Sequence, residues 1–182
     1  MAQPPPFPYR RVNVVGTSSS GKTTFARALA ARLGVEHVEL DALHWEPNWT
    51  EAPDAVIRER VAAAVADATW VVDGNYSATR DLVWARVQAV IWLDYPLRTI
   101  LRQYLIRTRS RLRSQEEIWP GTGNRERWRN HLVGREGLLW WILTTYHRRR
   151  REYPLLLRQH PHLAVVHLRA PAQADDWLAR LG

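Results

Sequence analysis

The chain carries the string GTSSSGKT at residues 16–23, and this stretch decides its fold. It has the form G-x-x-x-x-G-K-T, whose glycines let the backbone curl around phosphate groups while amide N–H groups point at the anion. The valine-rich residues before it, 11–15, predict a buried strand, and an amphipathic helix is predicted over 22–33. This order predicts a P-loop that binds nucleotide phosphates at the positive end of the helix.

Lys22 is the only lysine among the 26 basic residues of the chain. Lysine is a compact charge on a flexible stem that reaches between the β- and γ-phosphates, whereas a planar guanidinium is too broad for that gap. The Thr23 hydroxyl would bind Mg²⁺, so we predict ATP and Mg²⁺ as cofactors. The expected phosphate contacts are Gly16, Thr17, Ser18, Ser19, Ser20, Gly21, Lys22, Thr23 and Thr24.

Length and composition limit the number of domains and the class of protein. The 182 residues suit one domain, and we predict a single domain over 11–182 after a disordered, proline-rich leader at 1–10. The chain has no cysteine, so disulfides and thiolate metal sites are excluded. No apolar run reaches the roughly 18 residues that a membrane span needs. We expect a cytoplasmic monomer or homodimer without a membrane partner.

The positive charge is concentrated in one segment. The formal net charge is +8, yet residues 98–151 alone hold 14 arginines against 4 acidic residues. Such a block favours a polyanionic partner, either nucleic acid or the phosphates of a bound nucleotide.

Arginines within this segment recur at helical spacing. Guanidinium groups directed at one spot would stabilise charge on a transferring phosphoryl group, which favours catalytic roles for some of 102–111. The string at 148–151 instead favours a solvated face or nucleic-acid contact. One face of the predicted helix carries Arg98, Arg102, Arg109 and Arg113.

Hydrophobic periodicity predicts strands alternating with helices, the pattern of a parallel sheet covered on both faces. We predict an α/β fold, a P-loop NTPase three-layer sandwich with five parallel strands and an arginine-rich helical lid at about 107–130. Asp54 is expected to cap its helix. The predicted strands are 11–15, 35–40, 70–73, 89–94 and 163–168; the predicted helices are 22–33, 54–68, 81–87, a long segment from 96, 125–151 and 172–181; the predicted loops are 41–53 and 114–124.

Two aspartates follow predicted strands, at the sheet edge where parallel sheets bind ligands. Asp73 ends a hydrophobic strand and could hold Mg²⁺ through water while Thr23 holds it directly. Asp94 ends a similar strand and competes for this role, although it also fits a turn before the next helix. Thr23 and Asp73 are the first candidates for the metal site.

Another carboxylate, Asp41, follows the second predicted strand. From there it could orient the attacking hydroxyl of a phosphoryl acceptor or accept its proton. His44 and Trp45 lie within four residues and are further candidates for contact with the acceptor.

From about Arg11 to Gly182 the chain resembles the small P-loop kinases of the adenylate kinase and shikimate kinase type. Within these it is most similar to the adenylate-kinase-related group named topology modulation proteins. The string DALH also resembles gluconate kinases, although the rest of their pattern is not found. The strings that carry the resemblance are GTSSSGKT at 16–23, LDALHWEPNW at 40–49, VVDGNY at 71–76 and IWLDYP at 91–96.

This resemblance implies further roles. Arg102 and Arg107 fall near two arginines that contact the triphosphate in that family. The turn after the last strand lies against adenine there, so Arg169 and Pro171 are expected beside adenine. Adenylate kinases carry DGFPR where this chain has DGNYS, which leaves Arg80 as the substitute for their monophosphate-binding arginine. AMP is therefore not favoured as the acceptor.

These features predict a kinase that transfers the γ-phosphoryl group of ATP to a small acceptor, either a nucleotide or a hydroxyl metabolite. Two alternatives stay open: a nucleic-acid-associated protein that uses ATP as a switch, and a bare ATPase. For the kinase, the expected catalytic residues are Lys22, Asp41, Arg102, Arg107 and Arg109.

Overall fold

A computed structural model describes residues 7–126 and 137–181 of the chain. Within these residues, five parallel strands form one sheet in the order β2-β5-β1-β6-β7, which confirms the predicted fold class. A two-stranded antiparallel hairpin stands apart from it. The strands are β1 (Arg11–Gly16), β2 (Glu36–Glu39), β3 (Trp45–Glu46), β4 (Thr50–Glu51), β5 (Trp70–Asp73), β6 (Ala89–Leu93) and β7 (Ala164–Leu168).

Helices cover both faces of the sheet. Tyr153 and Ile57 pack on the face where Val15 points, while Ile142 and Phe25 pack on the opposite face. None of the described helices is both long and apolar enough to span a membrane. The helices are α1 (Lys22–Leu33), α2 (Leu40–His44), α3 (Asp54–Ala64), α4 (Arg80–Trp84), α5 (Leu97–Ser114), α6 (Leu138–Arg158) and α7 (Pro171–Ala179).

The predicted loop at 41–53 is wrong. It contains the end of α2, the hairpin β3–β4 and a short 3₁₀ turn at Pro47–Trp49. Asp54 is the first residue of α3 rather than its cap, because Pro53 occupies the cap position and no side chain caps the helix. The helix ends at Ala64, four residues earlier than predicted.

The predicted lid at 107–130 and the helix predicted over 125–151 lie only partly within the described residues. Residues 107–114 form the end of α5, and residues 115–126 follow it without helix. Residues 127–136, which include part of the helix predicted over 125–151, lie outside the described residues. α6 continues to Arg158, beyond the predicted end at 151.

Residues expected in the leader contact the domain. The Phe7 ring lies 5.1 Å from the Trp177 ring of α7 and 5.1 Å from the Tyr9 ring, in edge-to-face geometry. The Trp177 ring in turn stacks at 5.9 Å on Phe25 of α1. These contacts join the segment before β1 to the core on the α1 side of the sheet.

Gly74 fixes how closely α2 approaches the end of β5. Its φ is +137°, and a Cβ there would lie 2.8 Å from the Leu40 Cβ. We expect Gly74→Ala to lower the free energy of unfolding by about 1–3 kcal/mol, because backbone strain and overpacking act together. Urea unfolding measures this. Gly34→Ala is the control, since Gly34 also has positive φ (+62°) but open space around it; an equal loss in both variants would contradict the packing argument.

Candidate active site

The P-loop joins β1 to α1 in a conformation that only its small residues allow. A Cβ on Gly16 would lie 2.7 Å from the Leu93 carbonyl oxygen, so glycine is required for the close approach to β6. Ser19 and Gly21 adopt left-handed conformations, with φ of 65° and 82°. Gly21 thereby turns the chain directly into α1, which begins at Lys22.

Lys22 ends this loop, and no carboxylate among the described residues forms an ion pair with it. Its Nζ donates to the Thr17 carbonyl at 3.2 Å. Burial lowers the Lys22 pKa to about 8; Asp41 and Asp73 act against this shift, while Arg149 and Arg107 add to it. An ammonium group desolvated in this way is stabilised when an anion binds beside it.

Two buried hydroxyls also indicate that an anion binds at this loop. Neither the Ser19 nor the Ser20 side-chain oxygen has a hydrogen-bond partner among the described residues. Unpartnered buried hydroxyls cost free energy, and phosphate oxygens would accept their hydrogen bonds. The loop residues therefore fit the polyphosphate of ATP.

Thr23 and Asp73 lie together beside the loop. The Thr23 hydroxyl donates to Asp73 Oδ1 at 3.4 Å, and Asp73 is 1% exposed. His37, which the sequence reasoning did not consider, places its Nε2 2.9 Å from Asp73 Oδ2. A hydroxyl and a carboxylate at this position fit a magnesium ion that keeps several of its waters.

The Asp94 carboxylate already has two partners other than the P-loop. Its carboxylate pairs with Arg150 Nε at 2.8 Å and lies 3.0 Å from His167 Nε2. The geometry therefore supports Asp73 rather than Asp94 as the metal-side carboxylate, and that role stays a prediction.

Asp41 occupies the first turn of α2, close to the P-loop. The Tyr76 hydroxyl donates to Asp41 Oδ1 at 2.8 Å, and the Asp41 charge opposes the lowering of the Lys22 pKa. The His44 ring lies 4.6 Å from the Tyr76 ring and 5.0 Å from the Trp45 ring. The structure thus brings three of the four predicted acceptor contacts together, with Tyr76 as a further member that the sequence reasoning missed.

The arginines of α5 divide between two faces. Arg107 is half-buried, and burial lowers its pKa while the Asp41 charge partly offsets this. Arg102 and Arg109 are exposed, as are Arg98 and Arg113. The predicted shared face exists, but it points to solvent. The structure therefore places Arg107 near Asp41 and Lys22 and leaves Arg102 and Arg109 outside this group.

Arg149 of α6 was missed, because the string at 148–151 was interpreted as solvated. Its Nη1 donates to the Gly16 carbonyl at 3.3 Å, and burial lowers its pKa. Arg150 binds Asp94, whereas Arg148 is half-exposed beside Glu152. The signal lay in the helical spacing, because Ile142, Tyr146, Arg149 and Tyr153 recur every three or four residues.

Asn75 connects three elements at the P-loop. Its Oδ1 accepts from the Gly16 backbone N–H at 3.1 Å and from the Tyr153 hydroxyl at 2.9 Å, and its Nδ2 donates to the Gly16 carbonyl. The asparagine that departs from the adenylate kinase motif thus holds the first glycine of the loop against α6.

Three further predicted contacts have other neighbours in the structure. Arg80 lies over the Trp84 ring at 6.0 Å and lines a cavity with Tyr76 and Tyr153. Arg169 is exposed after β7, its backbone N–H donating to Gln173 Oε1 at 2.8 Å, and Pro171 opens α7. Their assigned contacts with acceptor and adenine stay predictions.

The segment 115–126 covers the hairpin. The Asn124 side chain is 2% exposed; its Oδ1 accepts from the Trp49 N–H at 2.9 Å and its Nδ2 donates to the Glu46 carbonyl at 2.8 Å. Trp119 Nε1 donates to Glu39 Oε1 at 3.1 Å. Part of the predicted lid therefore contacts the elements on either side of α2, the helix that carries Asp41.

Comparison with known proteins supports the fold. No protein-family model matches the chain, and no curated protein is significantly similar to it. Solved structures match at low identity over nearly the whole chain. Shikimate kinase from Acinetobacter baumannii, in complex with shikimate, has 16% identity and a TM-score of 0.59, covering 96% of this chain and 91% of that one.

Two further structures agree with this. Shikimate kinase from Bacteroides thetaiotaomicron has 15% identity and a TM-score of 0.55, covering 94% of this chain and 96% of that one. A gluconokinase from Sinorhizobium meliloti has 20% identity and a TM-score of 0.51, covering 97% of this chain and 94% of that one. The chain therefore has the fold of the shikimate kinase-like P-loop kinases.

Proposed function

We propose that this protein is an ATP-dependent kinase of a small hydroxyl-bearing acceptor. The observation that carries the proposal is the arrangement at the P-loop: Lys22 and Arg149 donate to the carbonyls of Thr17 and Gly16, and the buried Ser19 and Ser20 hydroxyls have no partner among the described residues. Cations and unpartnered hydroxyls at this loop suit a transferring phosphoryl group, and the Asp41 carboxylate, whose charge acts on Lys22, suits an attacking hydroxyl.

Each residue has a distinct task in this proposal. Bound Mg·ATP supplies the activated phosphoryl group, with Thr23 and Asp73 on the metal side. Lys22 and the loop amides hold the β- and γ-phosphates, and Arg107 and Arg149 stabilise the charge that spreads over the transferring group. Asp41, held by the Tyr76 hydroxyl, orients the acceptor hydroxyl.

The fold alone does not identify the acceptor. Shikimate, present in one of the similar structures, belongs to that protein. The similarity of several strings to the topology modulation group likewise supports kinship as a proposal and names no substrate.

Labelled ATP tests the proposal directly. The protein is incubated with ATP labelled at the γ-phosphate and a pool of small metabolites, and products are separated. We expect label in an organic product that is absent when Asp41→Asn replaces the wild type. Label found only in free phosphate would favour the bare ATPase instead.

Arg107 and Arg109 form a matched pair on α5. We expect Arg107→Ala to lower kcat by about 10²-fold with a smaller rise in KM for ATP, because its contact forms mainly in the transition state. Arg109→Ala should change kcat little, since that side chain is exposed. Steady-state kinetics of both variants measures this; equal losses would place the outer face in the site as well.

One observation favours a second function. The outer face of α5 exposes Arg98, Arg102, Arg109 and Arg113, and the helix contains no acidic residue. A surface of this kind attracts phosphate backbones. A filter-binding titration with duplex DNA over a salt series tests it; affinity that falls steeply with salt would support the nucleic-acid role, and absent binding at low salt would remove it.

A further inference from the structure

Seven side chains beside the P-loop form a continuous series of contacts, and the kinase mechanism uses only Tyr76 among its aromatic members. All seven are half-buried, so each keeps some exposed surface for a ligand. We call this series the aromatic collar; it consists of Asp41, Tyr76, His44, Trp45, Trp49, Trp119 and Glu39.

One half of the collar runs from Asp41 to Trp45. The Tyr76 hydroxyl donates to Asp41 at 2.8 Å, and the Tyr76 and His44 rings lie 4.6 Å apart. The His44 and Trp45 rings follow at 5.0 Å. His44 Nδ1 is buried and has no hydrogen-bond partner in the described part of the chain.

The other half of the collar runs from Trp45 to Glu39, the last residue of β2. The Trp45 and Trp49 rings lie 5.7 Å apart, and the Trp49 and Trp119 rings 5.8 Å apart. Trp119 Nε1 donates to Glu39 at 3.1 Å, and only Leu40 separates Glu39 from Asp41 along the chain. These contacts therefore place aromatic groups and a second carboxylate next to Asp41, at the acceptor end of the proposed site.

The collar contains two carboxylates, those of Glu39 and Asp41, and both are half-buried. Arg27 is the described side chain that pairs with Glu39, but at 4.0 Å and with 71% of Arg27 exposed this pair is weak. A carboxylate in this setting is stabilised by a cation held closer to it.

Two cations next to the collar, Lys22 and Arg149, contact the loop that would bind ATP. Lys22 and Arg149 donate to the carbonyls of Thr17 and Gly16, where the triphosphate would bind. In the proposed function these two cations and Arg107 all act on the phosphates of ATP, so an acceptor beside the collar meets two carboxylates and the negative faces of aromatic rings. Such surroundings favour positive charge and repel carboxylates and phosphates.

From this juxtaposition we propose that the acceptor is a small cationic alcohol, an amine or quaternary ammonium compound with a hydroxyl group. The proposal rests on the kinase function for its phosphoryl step. In that step the hydroxyl oxygen bonds to the γ-phosphorus, and the bond from this phosphorus to the β–γ bridging oxygen breaks. ADP leaves, and the hydroxyl proton passes to Asp41.

Calorimetry without nucleotide tests the collar. The probes are choline and its neutral isostere, in which carbon replaces the nitrogen, so that only the charge differs. We expect choline to bind about tenfold more tightly. Saturable binding that is equal for both probes, tighter binding of the isostere, or no saturable binding of choline would each overturn the proposal.

Two variants extend this test. Glu39→Gln should bring the two affinities together, whereas Arg27→Ala should widen the difference, because it removes the competing cation. A choline preference that is unchanged in folded Glu39→Gln would overturn the collar as its source. Because these titrations contain no ATP, they separate the two ideas: choline binding without phosphoryl transfer would count against the kinase, and transfer to an anionic acceptor against the collar.

Discussion

Lys22→Ala is expected to lower ATP turnover by about 10²–10³-fold, the loss seen when one preorganised charge contact to the reacting group is removed. Lys22 extends along the loop to the Thr17 carbonyl, and none of the carboxylates in residues 7–126 and 137–181 pairs with it, so its charge is available to the phosphates. Steady-state turnover with saturating ATP measures the effect, and circular dichroism confirms that the variant is folded.

Lys22→Arg sharpens this prediction. It keeps the positive charge, but the guanidinium is planar and too broad for the gap between the phosphates. We therefore expect a loss close to that of the alanine variant. Normal turnover in either folded variant would refute the placement of the nucleotide at this loop.

Arg149→Ala is expected to lower kcat by about 10²–10³-fold while the fold is retained. Arg149 lies 133 residues after Gly16 in sequence, yet its guanidinium reaches the Gly16 carbonyl, and burial has already lowered its pKa. It would exchange this carbonyl for phosphate oxygens without further desolvation.

Arg148→Ala is the matched control for Arg149. Arg148 is the preceding residue of the same helix and pairs with Glu152 at 3.7 Å in a half-exposed i,i+4 contact. Its removal should cost no more than a few tenths of a kcal/mol and leave kcat near that of the wild type. If both variants lost the same activity, general repulsion or helix stability would explain the effect, and Arg149 would have no direct role.

Local patterns predicted the elements that depend on local physics. The helix predicted over 22–33 matches α1 residue for residue, because apolar spacing and the terminal Gly34 define both ends. The strand at 70–73 is likewise correct, since its side chains are buried on both faces. The loop at 41–53 failed because its hairpin depends on distant residues, above all Asn124, which binds the backbone of Trp49 and Glu46.

The residues of the candidate site were likewise predicted correctly where the signal is local and missed where it depends on packing. A motif contiguous in sequence gave the P-loop, and a strand end gave Asp73 next to Thr23. Arg149 was missed because the four consecutive arginines look alike within their own string, and only the spacing of Ile142, Tyr146 and Tyr153 over the whole helix marks the one that turns inward. For α5 the spacing predicted that several arginines share one helical face. Spacing alone does not reveal whether such a face meets the site or solvent.

The most direct measurement is calorimetry of the folded protein with magnesium and a non-hydrolysable ATP analogue. The account predicts saturable binding with one nucleotide per chain, and a severe loss of affinity in Lys22→Ala. The absence of any association with magnesium and purine triphosphates would contradict it, because the loop at 16–23 would then bind no phosphate.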